Sequence, residues 1–320
     1  MIKFFKQNII LQLILVLLFS LVIWFGSFLH PQAPATAFEI APLYTLCTDW
    51  MSSFPLLATI LAWLLVLCEG VAFSIVLTRH KLFSTETLLP ALIFLITMGL
   101  TSENHTLNPI IMALPFVILT IHKMMMYEKV SPNATNILDA ALYSAIATMF
   151  CQQCIVMLLF VYIALTVHSL YHWRYWVMPV FGFAVPYIAL AIIYYLSDRL
   201  YYNYYIFTTD LSDIHFSILA CSAFDHIKSY LLLVATVVCA ATAIMHNIEH
   251  SASYRHNTGI LFALLFVFVL SQFYNQFFPI NGAVLALPLS FWVTERLFSI
   301  KKRSWICDII IIVLVILTLF

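Results

Sequence analysis

Charge is what this sequence has least of. Fourteen Lys and Arg and fourteen Asp and Glu among 320 residues make it 9% charged, with a net charge of zero. A soluble domain carries roughly 25% charged residues. No basic tract or stripe is present, which excludes nucleic-acid binding. The seven cysteines form neither a disulfide framework nor a zinc spacing. Most of them lie inside apolar stretches, where cysteine acts as a small hydrophobe. No low-complexity tract, obvious repeat or extramembrane domain interrupts the chain, so residues 1–320 read as one domain. What fills the sequence instead is hydrophobic residues, at 64% with a mean hydropathy of +1.02. This composition predicts an all-α, polytopic transmembrane helix bundle embedded in a lipid bilayer.

Eleven apolar segments predict about eleven spans: 8–29, 54–78, 87–101, 109–121, 139–150, 154–168, 175–196, 230–246, 258–275, 278–294 and 306–320. The first, preceded by Lys3 and Lys6, has the outline of a signal peptide, with Ala33-Pro34-Ala35-Thr36-Ala37 as a cleavage-like site. Its apolar run of about twenty residues exceeds the roughly 7–15 of a signal-peptide core, so it reads as a retained anchor. With the N-terminus in the cytoplasm, twelve of the fourteen Lys and Arg residues fall on the cytoplasmic side. Only Arg199 and Lys228 fall outside. That asymmetry sets the expected orientation.

Two pairs of segments are individually too short for the roughly 20 residues that cross a bilayer. One pair, 87–101 and 109–121, is broken by Thr101-Ser-Glu-Asn-His-Thr106; the other, 139–150 and 154–168, is broken at Cys151-Gln-Gln-Cys154. Each is expected to form a short helical hairpin with its turn shielded by protein. Reading either pair as one bent helix would invert everything downstream and spoil the charge asymmetry. Two external connections are long. Residues 30–53 carry three prolines with Glu39 and Asp49, and residues 197–229 carry Asp198, Arg199, Asp210, Asp213, Asp225 and Lys228.

This order of a long first external loop, two short hairpins and a second long loop resembles the module of GT-C membrane glycosyltransferases. The resemblance covers the layout of residues 1–230, with 231–320 as additional C-terminal spans. It implies transfer of a sugar from a polyprenyl-phosphate donor at the outer membrane face. By that resemblance Glu39 or Asp49 is the catalytic base and Glu103 orients substrate or a divalent metal. Arg199 and Lys228 hold the donor phosphate, and His105, Tyr201 and Tyr202 contribute to the substrate site. A carboxylate within hydrogen-bond reach can take a hydroxyl proton, and a guanidinium grips phosphate through paired bonds. The chain departs from the family pattern in its first acid. Glu39 stands alone, nine residues past His30, where many members have an acidic pair directly after the first span. No metal-ligand set and no organic cofactor is indicated. Residues 133–187, with His-Trp-Arg-Tyr-Trp before Val-Met-Pro and then Gly-Phe-Ala-Val-Pro-Tyr, resemble a family of integral membrane proteins from Bacteroidota. That likeness implies a bacterial inner membrane and no activity.

Other features compete with this reading. Glu69 is the one acid placed well inside an apolar helix, which suits either a proton or ion site of a small-solute transporter or a structural hydrogen bond. Against transport, no inverted repeat and no matched pair of Gly/Pro-broken helices is visible. Cys151 and Cys154 read as a packed turn rather than a redox pair, because the βαβ context is missing. His246 and His250 share a helix face with Glu249 and His256 nearby, but interfacial histidines are the safer explanation. His172-Trp-Arg-Tyr-Trp176 and the tyrosines around 194–205 read as interfacial belts. Arg199 beside Asp198 has the same plain explanation as a loop arginine. A non-catalytic membrane subunit of an envelope-assembly or secretion complex fits the same composition.

Overall fold

The computed structural model describes residues 8–34, 42–83, 85–100, 102–126, 134–198, 234, 236–241, 252–271 and 282–299. Among the described residues every regular element is helical and no strand occurs. The helices are α1 (Ile9–Leu29), α2 (Pro42–Thr48), α3 (Pro55–Arg79), α4 (Leu89–Gly99), α5 (Pro109–Met125), α6 (Ala134–Phe150), α7 (Val156–Val167), α8 (Trp173–Leu196), α9 (Ala252–Ser271) and α10 (Gly282–Ser299). Of the segment 230–246 only 234 and 236–241 are described, and they are helical; 306–320 lies outside the described residues. By length and composition α1, α3 and α8 can each cross a membrane. Shorter apolar helices run over Leu89–Gly99, Pro109–Met125, Gln152–Val167 and Tyr254–Leu270.

Local chemistry sets where these helices begin. Pro55 and Pro109 stand at the starts of α3 and α5, where a missing N–H leaves no helical bond unmade. The Asn108 side chain accepts from the Ile111 N–H at 2.8 Å and caps α5. α4 takes its cap from elsewhere: Gln12 of α1 accepts from the Leu88 N–H at 2.8 Å, across 76 residues of sequence. Helices α3 and α7 end alike. His80 and His168 close them, and Lys81 and Ser169 follow with left-handed φ of 55° and 59°. The Leu82 and Leu170 N–H groups then reach back to Leu77 and Leu165 carbonyls, which satisfies helix-end acceptors in a Schellman arrangement.

Both short pairs reverse direction. The start of α4 is bonded to the N-terminal part of α1 through Gln12, and the end of α5 meets the end of α3 through His122 and His80. Because α1 and α3 run in opposite directions, with Trp63 donating to Ser20, both outer ends of the α4–α5 pair lie at one end of the bundle. For α6–α7, Lys123 pairs with Asp139 at 2.8 Å and His168 bonds the Met124 carbonyl at 2.9 Å, so these outer ends also return to the end of α5. A single bent helix would have put the outer ends on opposite sides. The described Lys and Arg residues (Arg79, Lys81, Lys123, Arg174, Arg255 and Arg296) all sit at or beside this same end. It is called the basic end below.

Burial explains why α4 is so short. Every residue of α4 is buried, between α3, α10 and α1. A helix apolar on all sides that is wrapped in protein needs no bilayer-matched length. By contrast, α8 leaves Val180, Phe181, Ile188, Ile192 and Ile193 exposed, as a lipid-facing helix would. Tyr171 and Trp173 are exposed at the basic end, in keeping with an interfacial aromatic belt. α6 and α8 cross closely at Gly182, beside Ala141, and a bond between Thr148 and Tyr187 (2.7 Å) extends the contact. Small residues let two membrane helices approach this closely.

Candidate functional site

At the end opposite the basic residues, three separate pieces of chain meet. They are the C-terminal turns of α1, the first long connection with its helix α2, and the 3₁₀ turn Ser102–His105 that joins α4 to α5. The helix α2 inside the first connection is not legible as a span, since it is seven residues long. It is anchored by Tyr44, buried, whose hydroxyl donates to the Leu107 carbonyl at 3.0 Å. Burial pushes the Tyr44 phenol above its ordinary range, so it serves as a neutral donor. Below it, Met51, Ala58, Ala62 and Leu107 form a small apolar cluster that seals the connection onto α3.

The turn itself is built from amides. Asn104 is fully buried; it donates to the Met98 carbonyl at 3.2 Å and accepts from Asn108 at 3.0 Å, while Asn108 caps α5. A reversal buried within an apolar bundle leaves backbone groups in need of partners, and these side chains satisfy some of them. His105 is held on three sides. Its Nε2–H donates to the Gly99 carbonyl at 3.1 Å, which fixes the neutral tautomer, so Nδ1 accepts from the Ser27 hydroxyl at 2.8 Å. Trp24 packs against the ring with centroids 4.9 Å apart. Burial lowers the His105 pKa below its ordinary value, offset in part by the Gly99 bond, so the ring stays a neutral base at physiological pH.

Ser27 behaves differently from several other helical hydroxyls. Ser20, Thr59, Ser74 and Thr120 donate to carbonyls three or four residues back in their own helices. Ser27 instead aims its hydroxyl across the bundle at His105. The nearby Trp24 is completely buried, and its indole N–H has no partner among the described residues. Ser27, Trp24, Tyr44, Asn104 and Asn108 were all missed from sequence. Each looks like ordinary helix or loop content until the turn is folded. The spacing of Asn104 and Asn108 around Pro109 was the one available signal, as an N-cap followed by proline.

The sequence-derived site residues divide into two groups. Glu103 and His105 share the 3₁₀ turn, and Asp49 follows α2 in an exposed turn of the connection that Tyr44 pins to Leu107. Glu39, Arg199, Lys228, Tyr201 and Tyr202 lie outside the described residues, as do His246 and His250. The structure therefore brings the Asp49 connection to the Glu103–His105 turn. Glu69 lies elsewhere, on the buried face of α3, with neither carboxylate oxygen bonded among the described residues. Cys151 and Cys154 are free thiols in the α6–α7 turn, where the Cys151 thiol donates to Gln153 at 3.0 Å. No cluster of three His, Cys, Asp or Glu side chains able to hold a metal occurs among the described residues. Compared with protein-family models, curated proteins and solved structures, the chain matches none.

Proposed function

We propose that this chain is a polytopic bacterial inner-membrane enzyme of about eleven spans that transfers a sugar from a polyprenyl-phosphate donor to an envelope acceptor. In this reading the basic end faces the cytoplasm, by the preference of Lys and Arg for that side. The Ser102–His105 turn then faces the periplasm. Asp49 or Glu39 removes the acceptor proton, Glu103 orients the substrate, and Arg199 and Lys228 stabilise charge on the departing phosphate. His105 adds a neutral imidazole whose Nδ1 accepts a hydrogen bond from the Ser27 hydroxyl.

The observation that carries the reading is the Tyr44–Leu107 bond together with the Ser27–His105 bond. They draw the first external connection and the first short turn to one place, as a shared catalytic site requires. The test is sugar transfer from a polyprenyl-phosphate donor by the purified chain and by Glu103→Gln and Asp49→Asn. Loss of a catalytic acid or base is expected to slow turnover by about 10²–10⁴-fold in at least one variant, with the protein still folded. Transfer that is undiminished in both, and in Glu39→Gln, would remove the acids from the chemistry.

A second reading has its own observation. The Glu69 carboxylate, without a partner among the described residues and buried within a membrane-spanning helix, suits a small-solute transporter that loads a proton or cation there.

A further inference from the structure

Four histidines from four different elements meet at the basic end. His80 follows α3, His122 lies in the last turn of α5, His168 follows α7, and His256 is near the start of α9. His80 Nε2 and His122 Nδ1 share a hydrogen bond at 3.1 Å. His168 Nε2–H donates to the Met124 carbonyl at 2.9 Å, so its Nδ1 accepts from His256 Nε2–H at 2.7 Å. Asn257, next to His256, donates to the His80 carbonyl at 3.1 Å and ties the two pairs together. Through these bonds the start of α9 is held to the ends of α3, α5 and α7 at once. The approach is close: a Cβ at Gly259 would sit 3.2 Å from Val167.

A histidine pair joined by one hydrogen bond needs one ring nitrogen to donate and the other to accept. Adding a proton makes both rings donors and puts a positive charge between them. The surroundings here oppose that charge. Arg79 and Lys81 flank His80, Lys123 adjoins His122, and Arg255 adjoins His256. Among the described acids at this end, Asp139 pairs with Lys123, Glu295 of α10 accepts from Tyr254, and Glu86 is exposed in the α3–α4 connection. We propose that this network is a proton-operated latch, closed at neutral pH and released on acidification, that fastens α9 to the N-terminal part of the bundle. It is independent of the sugar-transfer reading and needs no substrate.

Adding a proton to the His168–His256 pair breaks the bond that holds α9 directly, and His80, whose ring pairs with His122 and whose carbonyl holds Asn257, adds to the effect. Burial, with His122 and Arg79 alongside, lowers the His80 pKa from 6.5 to about 4 in the closed state. The closed state therefore binds fewer protons than the open one between these values. Its stabilisation is full above about pH 6.5 and is lost as pH falls toward 4.

The experiment is backbone hydrogen exchange on the full chain in lipid nanodiscs at about pH 7.5 and 5, corrected for intrinsic rates, comparing α9 with the core helix α4. Exchange in the first turns of α9 is expected to accelerate by about tenfold or more while α4 keeps its protection. His80→Gln and His168→Gln, tested separately, retain a hydrogen-bonding side chain that does not titrate, and each is expected to flatten the acid response. A response confined to α9 and reduced by either substitution supports the latch. No acceleration in α9, equal acceleration in α4, or an undiminished response in both variants overturns it.

Discussion

Gly182→Val is expected to lower the stability of the bundle by on the order of 2–3 kcal/mol, the scale of overpacking a close contact. A Cβ at this position would lie 2.5 Å from the Leu138 carbonyl oxygen and 2.9 Å from the Ala141 Cβ. The first of these is backbone, so no rotamer change relieves it. Helix α8 would have to move away from α6, and the Thr148–Tyr187 bond would go with it. Gly26 supplies the internal control, because nothing lies within 4 Å of a Cβ built there. Gly26→Ala should be neutral or stabilising by up to about 1 kcal/mol through helix propensity. Thermal unfolding of the three proteins in one detergent decides the matter. A Gly182→Val protein that melts with the parent would mean that α6 and α8 do not cross as described.

Glu69→Leu is expected to act in the opposite direction. The carboxylate is buried on α3, and neither oxygen has a partner among the described residues. Leaving a polar group in that state costs on the order of 1–3 kcal/mol, and leucine removes it at similar volume. The variant should therefore melt higher than the parent, while Glu69→Gln, still polar, should change little. A stabilised but inactive Glu69→Leu protein would mark Glu69 as a residue kept for function at the expense of stability. A destabilised one would show that a partner holds the carboxylate, and would remove the transporter reading.

Much of the fold was legible because hydropathy and charge report directly on a bilayer. The segments 8–29, 54–78 and 175–196 correspond closely to α1, α3 and α8. The two short hairpins, expected from segment length and charge asymmetry, agree with the bonds of Gln12, His122, Lys123 and His168 that bring the hairpin ends together. What the sequence could not reveal was α4 as an interior helix, because an apolar run looks the same to lipid and to protein. Nor could it reveal α2, seven residues in a proline-containing connection, whose place depends on Tyr44 finding a carbonyl 63 residues away.

The candidate site was legible only in part. The turn that holds Glu103 and His105 stood out as a polar break between apolar runs. Ser27 and Trp24 did not, because one serine and one tryptophan at the end of an apolar helix carry no pattern of their own. The histidine network was hidden for the same reason. His80, His122, His168 and His256 are spread over 176 residues, and the i, i+4 spacing that drew notice belonged to His246 and His250 instead. Long-range pairing is set by how the helices return to one end, not by local spacing.

The central claim is that the end of the bundle bearing Glu103 and His105 serves a polyprenyl-phosphate-linked substrate. Binding of a polyprenyl-phosphate lipid to the purified chain tests it most directly, with Arg199→Ala and Lys228→Ala measured alongside. The account predicts saturable binding that weakens about tenfold or more, roughly 1.4 kcal/mol, when either cation is removed. No binding, or binding that both substitutions leave untouched, would contradict it.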